Sequence, residues 1–95
     1  MSIDIIQKGA AEHLGIPLEV LLSRRRTEAV AVARQMCYLY CREFGWSTTE
    51  TGEAFERDHS TVVKGCQEME GRLSYDVDLR RQFRKLGHAL KGVLR

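Results

Sequence analysis

Apolar residues recur at steps of three and four along almost the whole 95-residue chain, and no window sustains an alternation of period two. A helix returns to one face every 3.6 residues and a strand every second residue, so this pattern calls for helices and gives no support for strands. Ser2 is placed to cap a first helix carrying Ile3, Ile6, Ala10 and Leu14 on one face, with Gly15 as its stop. Pro17 suits the first turn of a short second helix, with Glu19 near its N-terminus and Val20, Leu21 and Leu22 turned inward. Thr27 is the expected cap of a long third helix running to about Phe44, its inward stripe being Ala29, Ala33, Met36, Tyr40 and Phe44, with Gly45 ending it.

The second half of the chain is punctuated more closely. Ser47-Thr48-Thr49-Glu50 has the form of a capping box and opens a short fourth helix through Ala54 and Phe55. Asp58 then caps a fifth helix, with Val62, Cys66, Met69 and Leu73 on one face. Asp76 caps a sixth, where Leu79, Phe83, Leu86, Leu90 and Val93 form a stripe. Two helices across a tight turn, the second rich in short polar groups at its start, have the pattern of a helix-turn-helix. His59, Ser60 and Lys64 would lie on exposed faces near the start of helix five, the end that normally reaches base edges.

Net charge is only +2, but it is distributed in blocks. Residues 1–23 carry −2, residues 24–42 carry +4, residues 43–58 carry −4 and residues 59–95 carry +4. Blocked basic charge matters more to a polyanionic partner than the total does. With 43% hydrophobic and 29% charged residues, the composition is that of one globular domain over residues 1–95 rather than a disordered chain. Uninterrupted apolar runs such as Ala29 to Ala33 are far too short for a membrane span, and Met1-Ser2-Ile3-Asp4 lacks the features of a signal peptide. Three cysteines make an odd count, so a disulfide framework is not expected; these features together read as cytoplasmic.

The segment Arg57-Asp58-His59-Ser60-Thr61-Val62 closely resembles the RDH-T/S-TV signature of the C-terminal DNA-binding domain of bacterial DnaA replication initiators. The likeness extends to Leu21-Leu22-Ser23-Arg24-Arg25-Arg26 as the family's basic loop and to Ala33-Arg34-Gln35-Met36 in the long helix. Glu50, Gly52 and Ala54-Phe55 match the helix before the signature, and Ile3-Asp4-Ile6-Gln7-Lys8 matches the start of the domain. The resemblance implies double-stranded DNA as partner, at a DnaA-box-like site. Within the basic loop, Arg25 and Arg26 would face DNA, with Arg26 inserted in the minor groove. Asp58, His59, Ser60 and Thr61 would face the major groove and adjoining phosphates. A carboxylate can accept from cytosine N4, and His and hydroxyl groups can donate to base or phosphate oxygens. Arg34, Arg42, Arg57 and Lys64 read as phosphate contacts that set register, and Gln35 suits either class.

The chain departs from the family's pattern at three places. Glu56 alone stands between Phe55 and Arg57, where relatives commonly have two glycines. Thr51 takes a position usually aliphatic, and Glu28 and Val32 take positions often basic. No G-x-x-x-x-G-K-[ST] occurs, so this chain lacks the phosphate-cradling loop of the ATPase that accompanies this domain in the initiator, and no enzyme activity or cofactor is expected.

Other residues have ordinary explanations. Cys37, Cys41 and Cys66 fit buried helix positions better than a zinc site, and His13 and His88 fit exposed or structurally satisfied positions. Trp46 reads as a core or loop anchor. The basic residues Arg80, Arg81, Arg84, Lys85, Lys91 and Arg95 fit a solvated face opposite the apolar stripe of helix six. That stripe could also dock a partner helix, giving a homo-oligomer or a protein contact. The expectation is therefore an all-α domain of about six helices with a helix-turn-helix, Trp-repressor-like or DnaA C-terminal-domain-like, that binds duplex DNA sequence-specifically. The alternatives are a free-standing relative acting as a transcription regulator of a phage or mobile element, and a helical interaction module that no longer binds DNA.

Overall fold

The computed structural model describes residues 1–92. Six helices follow in chain order: α1 (Ile3–Leu14), α2 (Leu18–Leu21), α3 (Glu28–Glu43), α4 (Thr48–Ala54), α5 (His59–Leu73) and α6 (Val77–Gly92), with no strand among the described residues. Each forms where its caps and periodicity place it. The Ser2 hydroxyl accepts from the Ile5 N–H, and the Ser47 and Glu50 side chains complete a reciprocal capping box. Asp76 Oδ1 accepts from the Leu79 N–H at 3.0 Å. No helix among the described residues is long and apolar enough to cross a membrane.

The long helix α3 is the centre of the domain, packed by α5, α1, α4 and α2. Its buried side chains are Val30, Ala33, Arg34, Met36, Cys37, Tyr38, Tyr40 and Cys41, a broader face than the expected stripe. Ala29 is exposed, contrary to expectation, and the larger Val30 takes the inward position one residue on. Phe44 is the C-cap and only partly buried. Pro17 is the N-cap of α2 rather than a first-turn residue. Burying groups such as Ile6, Leu21, Met36, Phe55, Met69 and Leu86 almost completely stabilises the fold by about 1.5–3 kcal/mol each.

Helix α6 uses its stripe within the chain. Leu79, Leu86 and Leu90 are buried, α6 packs on α1, and the Tyr40 and Phe83 rings stack with centroids 4.3 Å apart. The expected docking stripe for a partner helix is therefore already covered; Val93, also assigned to it, and Arg95 lie outside the described residues. Cys37, Cys41 and Cys66 are buried free thiols, while His13 and His88 are exposed. Burial pushes the Cys41 thiol up to about 12 and raises Cys37 and Cys66 as well. Trp46 anchors a turn, its indole N–H donating to the Met1 carbonyl at 2.7 Å.

Candidate nucleic-acid interface

Helices α4 and α5 are separated by four residues, and two glycines let this turn sit close to the rest of the domain. A Cβ on Gly52 would lie 2.6 Å from the Arg57 carbonyl oxygen, so only glycine lets the turn fold back onto α4. A Cβ on Gly65 would lie 2.7 Å from the Tyr38 ring, so this glycine sets how closely α5 approaches α3. Val62, Cys66 and Met69 fix the inner face of α5. His59, Ser60, Thr61 and Lys64 are consequently exposed on its outer face near the N-terminus.

Asp58 occupies the N-cap position of α5, yet its side chain makes no capping hydrogen bond. The expected cap is thus present in backbone geometry only. The carboxylate lies 3.8 Å from His59 Nδ1, both side chains being well exposed. An exposed, uncommitted carboxylate beside an imidazole can meet a base edge, which a committed cap would do less freely.

The basic loop between α2 and α3 is shaped from outside. Arg34 is only 6% exposed, and its guanidinium spends its donors on four carbonyls. Its Nε donates to Leu21 at 2.8 Å, its Nη1 to Arg25 at 2.5 Å, and its Nη2 to Val20 at 3.3 Å and to Ser23. Burial, with the Arg57 charge next in size, lowers its pKa from the ordinary guanidinium value, though Arg remains charged. The expectation that Arg34 contacts phosphate is therefore corrected: it is an internal brace. Such donors are well matched to loop carbonyls that have no helix to bond them.

Arg57 does related work from the other side. Its Nη2 donates to the Ser23 carbonyl at 2.7 Å and its Nη1 to the Phe55 carbonyl at 2.9 Å. The Ser23 carbonyl thus accepts from both Arg34 and Arg57, joining the basic loop to the turn of the helix-turn-helix at one atom. Arg57 is partly buried by this, so its expected phosphate role falls to whatever edge of the guanidinium remains free.

Between loop, turn and helices lies an open groove of about 470 Å³ lined by Arg24, Arg26, Gln35, Glu56, Asp58 and Lys64 among others. Thr61 joins them, as do Arg34 and Arg57, whereas Arg25, Arg42, His59 and Ser60 do not line it; His59 and Ser60 line a separate hollow with Thr61, Val63 and Lys64. Arg25 is exposed on the loop; Arg42 lies two turns along α3 from Gln35 and donates to the Trp46 carbonyl at 2.8 Å. Gln35 Nε2 donates to Glu68 Oε2 at 2.8 Å, bridging α3 and α5 across the groove.

Four groove residues were not picked out by sequence reasoning, Ala31, Tyr38, Gly65 and Glu68, and Arg24 entered it only as part of the basic loop. Lys64 and Glu68 are four apart on a helix, a spacing that brings Glu68 to the same face. Tyr38 follows Gln35 by one turn, and its ring meets Phe55 edge-on at 5.0 Å, forming the floor of the groove.

Residues 3–69 match the family described as bacterial DnaA protein helix-turn-helix. The chain is 33% identical over 93 residues to the chromosomal replication initiator protein DnaA of Treponema denticola, covering 96% of this chain and 20% of that protein. It is 31% identical over 93 residues to the same-named protein of Caldanaerobacter subterraneus subsp. tengcongensis, covering 97% of this chain and 21% of that one. The chain thus spans about one fifth of the length of these relatives. The groove lies within the matched residues, between the helix-turn-helix and the arginine loop braced against it. The chain belongs to the bacterial DnaA helix-turn-helix family, which makes it a DNA-binding domain.

Proposed function

We propose that this chain recognises a specific duplex sequence resembling the initiator's DnaA box, and that it does so by binding alone, without chemistry of its own. The single observation that carries this reading is the shared tie at the Ser23 carbonyl, which holds an arginine loop and the start of an exposed helix at one groove. In this reading the loop enters the minor groove through Arg26 while α5 enters the adjacent major groove. Asp58, His59, Ser60 and Thr61 then supply base-edge contacts, and Arg24 and Lys64 supply phosphate contacts. Gln35 works at the wall of the groove once released from Glu68. The family and its relatives, named as chromosomal replication initiators, support a place in replication initiation, on the chromosome and hence in the cytoplasm.

Anisotropy titrations of the domain against a labelled duplex carrying the box and a scrambled duplex test this. The box should bind more tightly, and equal affinity for both would overturn the reading. Arg26→Ala and His59→Ala should each remove roughly 1–3 kcal/mol of that preference. Lys64→Ala should weaken both duplexes alike and lower the salt dependence by about one unit of slope.

A further inference from the structure

Three helices of this domain end with the same pair of hydrogen bonds. At the end of α1, Gly15 N–H meets the Glu12 carbonyl and Ile16 N–H meets Ala11. At the end of α3, Gly45 meets Arg42 and Trp46 meets Cys41. At the end of α4, Glu56 meets Glu53 and Arg57 meets Gly52. This motif needs a left-handed residue in the middle, and glycine is the residue that adopts it without strain. Gly15 and Gly45 supply it at φ 69° and 96°; at α4 it is Glu56 at φ 54°, the one non-glycine residue with positive φ among those described. A glutamate therefore stands where the backbone favours glycine, and its side chain makes no hydrogen bond among the described residues. That side chain is exposed and forms no ion pair among the described residues. It stands on the rim of the groove, among Arg24, Arg26, Arg57 and Lys64.

We infer that Glu56 is an electrostatic brake on DNA binding, which weakens phosphate attraction at the groove for every duplex alike. The inference rests on the DNA-binding reading above. A phosphate drawn to Arg24, Arg26 or the start of α5 enters the groove that Glu56 also lines. Repulsion between unit charges about 4 Å apart is worth about 1 kcal/mol, a several-fold change in affinity, even in bulk water.

Glu56→Gln removes the charge but keeps a side chain with the same backbone strain, and Glu56→Gly removes both. Each variant and the parent domain would be titrated with the box duplex and the scrambled duplex over a range of salt. Both variants should bind both duplexes about three- to tenfold more tightly near 0.1 M salt. The slope of log affinity on log salt should steepen by up to about 0.9, one cationic contact no longer being offset. Glu56→Gly alone should also raise the Tm by a few degrees. Unchanged or weaker binding by Glu56→Gln overturns the brake, whatever happens to stability. A parent domain that binds no duplex even at low salt overturns the DNA-binding reading instead, and with it the brake unless Glu56→Gln restores binding. A parent that binds with no preference, released by Glu56→Gln, overturns box recognition and supports the brake.

Discussion

The basic loop over residues 23–27 and the first turn of α5 both present polar side chains to one groove, but they reach their positions by different means. The start of α5 is placed by its far side: Val62, Gly65, Cys66 and Met69 are buried, and the outer residues make few contacts of their own. The loop has no buried apolar face, and Arg24, Arg25 and Arg26 are all exposed. Its backbone is held by the guanidinium groups of Arg34 and Arg57, together with the Ser23 hydroxyl, which donates to the Val20 carbonyl at 2.6 Å. Packing against a core is spread over many contacts, whereas a polar brace concentrates its effect in a few atoms. One half of the interface therefore stands or falls with the fold, and the other can be detached from it.

Replacing Arg34 is the sharpest way to separate the two. Arg34→Met keeps the length and apolar stem while leaving the Val20, Leu21 and Arg25 carbonyls without their charged donor and the Ser23 carbonyl with that of Arg57 alone. Hydrogen bonds to charged groups contribute about 1.5–3 kcal/mol each, and water can reach part of this loop, so a net loss of about 2–3 kcal/mol is expected in urea unfolding. Amide exchange should accelerate at residues 23–26 while protection over 62–69 falls only with global stability. Uniform loss of protection across both regions would show that loop and helix form one unit after all. Retention of the box preference by a folded Arg34→Met domain would show that the loop needs no brace.

How much of this was readable beforehand follows from the same contrast. Helices bond their own backbones, so their phase and caps are local, and the six elements and the helix-turn-helix could be read directly. The misplacement of Ala29 arose because positions three and four residues before Ala33 are both on its face, and side-chain size decided for Val30. Burial of Arg34 was not legible in that way. An arginine on a helix reads as a surface cation until carbonyls 9 to 14 residues earlier in the chain fold over it. The Gln35–Glu68 bridge spans 33 residues, beyond any local pattern. Glu56 stands out in the sequence for the shortened turn; that it adopts φ 54° follows only from the hydrogen-bonded ends around it.

Alkaline pH should weaken the core-held half first. Burial raises Tyr40 from 10.0 to about 12 and Cys41 from 9.0 to about 12, so the folded domain holds both protons more tightly than the unfolded chain. A raised folded pKa gives stability that is complete below the unfolded value and lost as pH climbs to the folded one. Tm should therefore hold steady to about pH 9 and fall by several degrees between pH 9 and 11, in scans made under reducing conditions. The guanidinium braces of the loop do not titrate in that window. Cys41→Ala should flatten part of the fall, at a cost to stability at neutral pH. A decline of equal steepness in that variant would assign it to other groups.

The smallest expected change strengthens the same half. Thr51 is fully buried in α4, and its hydroxyl has no hydrogen-bond partner among the described residues. The nearby Cys41 thiol feels it, since Thr51 lowers the Cys41 pKa somewhat against the larger effect of burial, but the pair falls short of hydrogen-bond geometry. A buried hydroxyl that has lost water without gaining a partner is destabilising. Thr51→Val keeps the shape and removes that penalty, so stability should rise by roughly 0.5–1 kcal/mol, read as a Tm higher by a few degrees. Because α4 carries the turn from beneath, the gain should appear as slower amide exchange in α4 and α5, with residues 23–26 unaffected. A lower Tm would mean that the hydroxyl–thiol contact is favourable, and the comparison would change accordingly: the core side of the interface would then rest on a polar contact of its own, as the loop does on Arg34.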